Sequence, residues 1–212
     1  VPIKAVFFDV GETLVDETRQ WGEWADFLGV TRLAFFGALG AVIERQEHHR
    51  KVFEHLGVNY DSARLQRQKT GWKGGLEAGD FYPDALPCLQ GLKAAGYLVG
   101  ICGNQPQRNE ATLRAMGLPI DFLASSTSWG LEKPDPRFFE RMVQETGLEP
   151  EQIAYVGDRL DNDVLPALKA GMKAVFIRRG PWGYIHATWP KAGRATLRIE
   201  GLEELADQLK AL

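Results

Sequence analysis

Short apolar runs alternate with segments of helical period along most of the chain. Ile3 to Phe8 is a Val, Ile and Phe-rich run that stops at Asp9-Val10-Gly11-Glu12-Thr13, the pattern of a buried strand that delivers a carboxylate into a loop. Similar runs at Tyr97 to Cys102, Phe122 to Ser125, Ile153 to Gly157 and Ala174 to Ile177 predict further strands. Between and after them, amphipathic spacing predicts helices at Asp84 to Ala95, Gln107 to Met116, Pro136 to Thr146, Asp163 to Ala170 and Leu202 to Leu209. Several close on a glycine at the stop position: Gly96, Gly117, Gly147 and Gly171.

Strands alternating with helices imply βαβ units, hence a parallel sheet covered on both faces by right-handed crossovers: a doubly wound, Rossmann-like α/β core. Residues 16–81 break the alternation. They are rich in helix formers and aromatics, including Trp21, Trp24, Phe27, Phe35, Phe36 and Trp72, and carry no strand pattern. The expected organisation is a discontinuous α/β core of residues 1–15 and 82–212, with a small all-helical domain of residues 16–81 inserted after the first strand. An insert leaving the carboxyl end of a strand sits over the edge where open α/β sheets bind ligands, as a lid. Glu44 to Lys51 reads as a solvated, charge-laced helix face, and Arg179 to Tyr184 as a surface loop.

Composition changes this picture little. A chain of 212 residues with 44% hydrophobic and 25% charged residues holds one full core and a smaller module. The net charge of -3 is spread without blocks, so neither nucleic-acid nor membrane binding is expected. Cys88 and Cys102 fall in a helix and an apolar strand, where they make neither a disulfide framework nor a metal site. With no basic leader and no apolar run near the roughly 20 residues of a membrane span, a cytoplasmic location is expected.

The chemistry gathers at strand ends. Asp9 follows the first strand, Asp158 follows Tyr155-Val156-Gly157, Asn104 follows Ile101-Cys102-Gly103, and Lys133 precedes a proline-initiated helix in Glu132-Lys133-Pro134-Asp135-Pro136. Neighbouring strands lie about 4.8 Å apart, so carboxylates at their ends can share one hard cation. Two aspartates that close repel unless a cation neutralises them, which a magnesium ion together with Lys133 accomplishes. Asp163, at the start of the next helix, is placed to hold a metal-bound water, whereas Asp161 reads as a helix initiator.

These segments, in this order, resemble the four successive motifs of the haloacid dehalogenase superfamily: Asp9-Val10-Gly11-Glu12-Thr13-Leu14, then Gly103-Asn104, then Lys133-Pro134-Asp135, then Val156-Gly157-Asp158 with Asp163. The helical insert is similar to that superfamily's cap. The resemblance implies a hydrolase with Asp9 as the nucleophile, with Asp9, the Gly11 carbonyl, Asp158 and Asp163 around Mg²⁺, and with Lys133 neutralising the nucleophile and the phosphoryl oxygens. The implied substrate is a small phosphorylated metabolite, cleaved through an aspartyl-phosphate.

Two positions depart from that pattern. Gly11 stands where the superfamily's phosphatases carry the aspartate that protonates the leaving alcohol, and general acid–base catalysis contributes roughly 10²–10⁴-fold. Candidates for the role are Glu12, or Glu44, His48 or His49 of the insert; an acyl phosphate would leave without it. Related dehalogenases have tyrosine at this position and related phosphonate hydrolases alanine. Gly103 stands where a Ser or Thr hydroxyl usually binds the phosphoryl oxygen; the Gly103 backbone N–H and the Asn104 amide are candidates to take its place. Carbon–halogen or carbon–phosphorus hydrolysis, and a binding module that keeps only the fold, stay open. Arg178 and Arg179 read equally as contacts to an anionic substrate or as surface residues.

Overall fold

The computed structural model describes residues 1–212, which divide into two compact units: Val1–Asp16 with Leu76–Leu212, and Glu17–Gly75. In the first unit six parallel strands form one sheet: β1 (Ala5–Phe8), β2 (Leu98–Gly103), β3 (Phe122–Ser125), β4 (Ile153–Gly157), β5 (Lys173–Ile177) and β6 (Leu197–Ile199), in the order β3-β2-β1-β4-β5-β6. The chain winds outward in one direction from β1 to β3 and in the other from β4 to β6. The switch between β1 and β4 is the position where open α/β sheets place their ligands.

Both faces of the sheet are buried, so its strands are apolar throughout rather than alternating. One face packs Val6, Phe8, Val99, Ile101, Val156 and Val175 beneath helices Ala85–Ala94 and Leu205–Leu209. The other packs Phe7, Tyr155 and Phe176 with Phe138, Phe139 and Met142 of helix Pro136–Thr146. The half-buried Cys88 packs against the first cluster, and Cys102 is fully buried in β2.

The connection out of β1 folds back on itself. Leu14 N–H and Val15 N–H both donate to the Val10 carbonyl, at 2.9 and 3.0 Å. Val15 then bridges Phe81 in antiparallel sense, and Asp16 N–H donates to the Asp80 carbonyl at 2.8 Å, so the chain segments on either side of residues 17–75 run side by side here. Leu76 to Phe81, which the hydrophobic pattern groups with the insert, belongs to the sheet unit.

The second unit holds helices Thr18–Leu28, Arg32–Glu44, Lys51–His55 and Tyr60–Lys69. Its core is aromatic: Trp24 and Phe53 meet edge to face at 5.0 Å, and Phe53 also meets Tyr60 at 4.9 Å. Arg67 lies between Trp72 and Trp24, its guanidinium 3.7 and 4.3 Å from the two ring centres. Across the whole chain no single helix is long and apolar enough to cross a membrane.

Two local expectations are corrected, and one strand was not expected. Glu44 to Lys51 is not a continuous helix face: one helix stops at Glu44, Gln46 takes a left-handed φ of 58°, and the next helix begins at Lys51. Arg179 to Tyr184 is not a loop but the start of helix Gly180–His186, because Pro181 fits the first turn and Trp182 is buried against the unit. The third strand to the right of the switch, β6, is only three residues long, with the edge position Arg198 exposed, too short for a hydrophobic period to register.

Candidate active site

Asp9 is still within the sheet's hydrogen-bond ladder, its N–H donating to the Val156 carbonyl at 2.9 Å, so the side chain is aimed by β1 and β4 rather than by a free loop. Asp158 comes from the end of the adjacent β4, one residue past Gly157. Asp163 comes from a single widened helical turn, Leu160–Val164, whose start is pinned by the Arg159 N–H donating to Asp163 Oδ2 at 3.0 Å. These strand-end and turn positions bring ligand oxygens of Asp9, Asp158 and Asp163 within 4.8 Å of one another.

Lys133 enters from the loop before helix Pro136–Thr146 and is 3% exposed. Its Nζ lies 2.8 Å from Asp9 Oδ1 and 2.5 Å from Asp163 Oδ1, and 5.3 Å from the centre of the Tyr155 ring. Burial alone would lower its pKa, but the attraction of Asp163 and then Asp9 overcomes this and raises it above the usual lysine value. The opposite holds for Asp163, which burial pushes up to about 6 against the pull of Lys133. Asp158 is also displaced upward, by burial first and then by the charges of Asp163, Asp9 and Glu12.

One ammonium therefore faces more carboxylates than it can neutralise. Asp158 Oδ2 is buried with no hydrogen-bond partner, the unsatisfied state that native proteins seldom tolerate. A set of closely spaced carboxylate oxygens with one oxygen unpaired matches what a hard divalent cation requires. The donor set fits magnesium.

Other predicted positions are placed less directly. Asn104 and Lys133 are joined reciprocally: Asn104 Nδ2 donates to the Lys133 carbonyl and Lys133 N–H donates to Asn104 Oδ1, each at 2.8 Å. The carboxamide thus anchors the lysine loop through both of its ends. Gly103 closes β2, and a Cβ built there would lie 2.6 Å from Asp9 Oδ1, so the absence of a side chain makes room for the Asp9 carboxylate. Gly157 does the same for Asp163. Gly11 is half-buried and bridges to Val15 through its backbone. Glu12 is buried at φ 51°, and its Oε2 accepts a 2.6 Å hydrogen bond from the Tyr82 hydroxyl.

Glu44, His48 and His49 lie in the second unit, where the two imidazoles stack at 4.2 Å and His48 Nδ1 accepts from the Arg50 N–H at 3.2 Å. Arg178 pairs with Glu200, and Arg179 with Asp84 and the Thr13 carbonyl. Asp161 pairs with Arg159 at 2.7 Å rather than capping a helix. Tyr82, Asp84 and Arg179 around the Asp9 loop carry no local sequence signal for this arrangement, since Arg179 lies 95 positions from Asp84.

The sequence model of the haloacid dehalogenase-like hydrolases matches residues 3–171. The chain belongs to this family. It is a hydrolase with the family's α/β fold. It is 34% identical over 206 residues to a glyceraldehyde 3-phosphate phosphatase of Pyrococcus furiosus, covering 85% of this chain and 82% of that protein. To the protein of the same name from Methanopyrus kandleri it is 36% identical over 104 residues, which is 48% of this chain and 45% of that one. Among solved structures, a haloacid dehalogenase-type phosphatase from Thermococcus onnurineus matches with a TM-score of 0.61 and 26% identity, covering 98% of each chain.

Proposed function

We propose that the protein is a magnesium-dependent phosphohydrolase of a small phosphorylated metabolite that works through a covalent phosphoryl group on Asp9. The observation that carries this reading is the Asp9, Lys133, Asp163 ion-pair chain beside the unpartnered, buried Asp158 Oδ2. A carboxylate attacks a dianionic phosphoryl group only where the negative charge of both is offset. Phosphatase names among relatives support phosphorus, rather than halogen, as the centre attacked.

In this reading Asp9 forms the new O–P bond while the bond from phosphorus to the leaving oxygen breaks, and water later releases phosphate and regenerates the carboxylate. Lys133, held by Asp163 and by Asn104, pairs with Asp9 and keeps its carboxylate aligned. Asp9, Asp158 and the Gly11 carbonyl would hold the magnesium ion, with Asp163 beside it, and the ion supplies charge neutralisation for the phosphoryl oxygens. Gly103 leaves space at the Asp9 carboxylate and offers a backbone N–H in place of a hydroxyl.

The leaving oxygen receives no proton from Gly11, and Glu12 already accepts from Tyr82. The reading therefore favours activated phosphates, such as aryl and acyl phosphates, over alkyl ones, unless Glu44, His48 or His49 supplies the acid. The helical unit of residues 17–75 is assigned as the cap that selects the substrate. The two free thiols suit a reducing cytoplasm.

The test is turnover of p-nitrophenyl phosphate and acetyl phosphate by the protein and by Asp9→Asn, with and without Mg²⁺. Turnover that needs both Asp9 and the metal supports the reading, and turnover independent of either rejects it.

A further inference from the structure

Glu12 is a non-glycine residue held at φ 51°, a conformation that persists only where surrounding contacts impose it. Those contacts come from distant parts of the sheet unit. The Tyr82 hydroxyl donates to Glu12 Oε2 at 2.6 Å. Arg179 Nη1 donates to the carbonyl of the next residue, Thr13, at 3.0 Å. The guanidinium lies 4.1 Å from the centre of the Tyr82 ring, so the two holding groups also support each other. Asp84 receives both Arg179 nitrogens and is itself fixed by the Leu202 N–H at 2.9 Å.

Gly180 completes the arrangement. It has φ 62°, and a Cβ there would collide with the Glu12 carboxylate, so the Glu12 side chain fills the space that this glycine leaves open. The gripped residues, Glu12 and Thr13, directly follow Gly11, and the same turn is closed on the Val10 carbonyl by Leu14 and Val15.

We propose that Tyr82 and Arg179 form a clamp on Glu12 and Thr13 that sets the backbone of the Asp9–Gly11 loop, making Glu12, Tyr82 and Arg179 positioning residues rather than groups that touch substrate. The functional consequence rests on the phosphohydrolase reading above. The clamp itself is a property of the folded loop and is measurable without turnover. Reacting groups displaced by about 1 Å lose on the order of 10²-fold in rate, so a partly released loop is expected to lose about 10-fold.

The test compares Tyr82→Phe, which removes one hydroxyl and keeps the ring under Arg179, with Glu12→Gln, which keeps an acceptor for that hydroxyl. Three readouts are taken on the full chain: kcat and KM for p-nitrophenyl phosphate, Mg²⁺ affinity by titration calorimetry, and amide exchange of residues 11–15 without metal. For Tyr82→Phe the expected result is a kcat lower by about 10-fold with KM little changed, Mg²⁺ affinity weaker by about 3- to 10-fold, and faster exchange confined to the loop. Glu12→Gln is expected to stay within about 3-fold of the parent in kcat, whereas a residue that donates the catalytic proton would lose roughly 10²–10⁴-fold.

Folded Tyr82→Phe with unchanged exchange and unchanged Mg²⁺ affinity overturns the clamp, as does a Glu12→Gln loss of the larger size. If the parent protein turns over no phosphate, the phosphohydrolase reading fails while the exchange and calorimetric results still decide the clamp.

Discussion

Each unit of this protein buries one cation, and the two are balanced differently. In the helical unit Arg67 lies between Trp24 and Trp72 and pairs with Glu23 at 3.0 Å, while Glu23 also accepts from Trp72 and Arg19. Burial lowers the Arg67 pKa, with Glu23 pulling it back. In the sheet unit Lys133 faces Asp9 and Asp163 with Asp158 close by, its pKa is raised, and one carboxylate oxygen is left without a partner. Arg67 also has one nitrogen, Nη1, without a hydrogen-bond partner, but it is a single cation covered by aromatic faces and paired with one carboxylate, which is how a buried charge serves packing. Around Lys133 acidic groups are in surplus, with the Asp158 and Asp163 pKa values raised by burial and mutual repulsion, and such a cluster marks a candidate site for a bound cation.

The sharpest way to break this contrast is Asp9→Asn. It should abolish turnover, by about 10³-fold or more, while leaving the thermal unfolding midpoint within a few degrees of the parent. Retained turnover would remove Asp9 from the chemistry. Next in size, Lys133→Met strands clustered carboxylates and is expected to destabilise the metal-free protein by about 3–5 kcal/mol. A denaturant titration that finds less than 1 kcal/mol (on the order of a surface ion pair) would mean the cluster is not under electrostatic stress.

Magnesium should relieve that stress. At a hundredfold excess over its dissociation constant it is expected to stabilise the protein by about 2.7 kcal/mol, seen as an upward shift in midpoint that chelation reverses. An unshifted midpoint would show that the surplus charge does not select a cation. The matching change in the helical unit, Arg67→Met, is expected to cost only about 1–2 kcal/mol, because Glu23 keeps Arg19 and Trp72. A loss as large as that of Lys133→Met would erase the distinction between the two cations.

His186 adds a buried group that is kept neutral. Its Nδ1 accepts from the Leu160 N–H at 3.0 Å, and burial lowers its pKa to about 4, partly offset by Asp161 and reinforced by Arg159. The unfolded chain binds the proton more readily, so this contribution is fully present above the ordinary histidine pKa and is lost as the pH falls from about 6.5 towards about 4. The stability difference between the parent and His186→Asn, followed by urea titration across that window, should narrow as the pH falls. A difference independent of pH would contradict the burial of a neutral imidazole.

Much of the sheet and its strand-end chemistry was legible because both are local. Continuous apolar runs mark doubly covered strands, Asp9 and Asp158 stand out by following them, and Lys133 by preceding a proline-initiated helix. What was not legible depends on partners far along the chain. Asn104 has an amide suited to an anion, yet both its ends are engaged by the Lys133 backbone, 29 positions away. Glu12 carries no sign of its left-handed backbone, which Tyr82, 70 positions away, and Gly180, after β5, make possible. The Gly-Pro-Trp-Gly run after β5 has the composition of a turn, and only the burial of Trp182 shows it to be a helix. Gly103 reads in sequence as a missing hydroxyl, and only the fold shows that its bare Cα makes room for the Asp9 carboxylate, as Gly157 does for Asp163.

The most direct measurement is rapid-quench peptide mapping during turnover of acetyl phosphate. The account predicts phosphate attached at Asp9 in the parent protein, formed only when Mg²⁺ is present and lost on alkaline treatment as an acyl phosphate should be. Turnover with no phosphate on the Asp9 peptide, or with phosphate on a different residue, would contradict it.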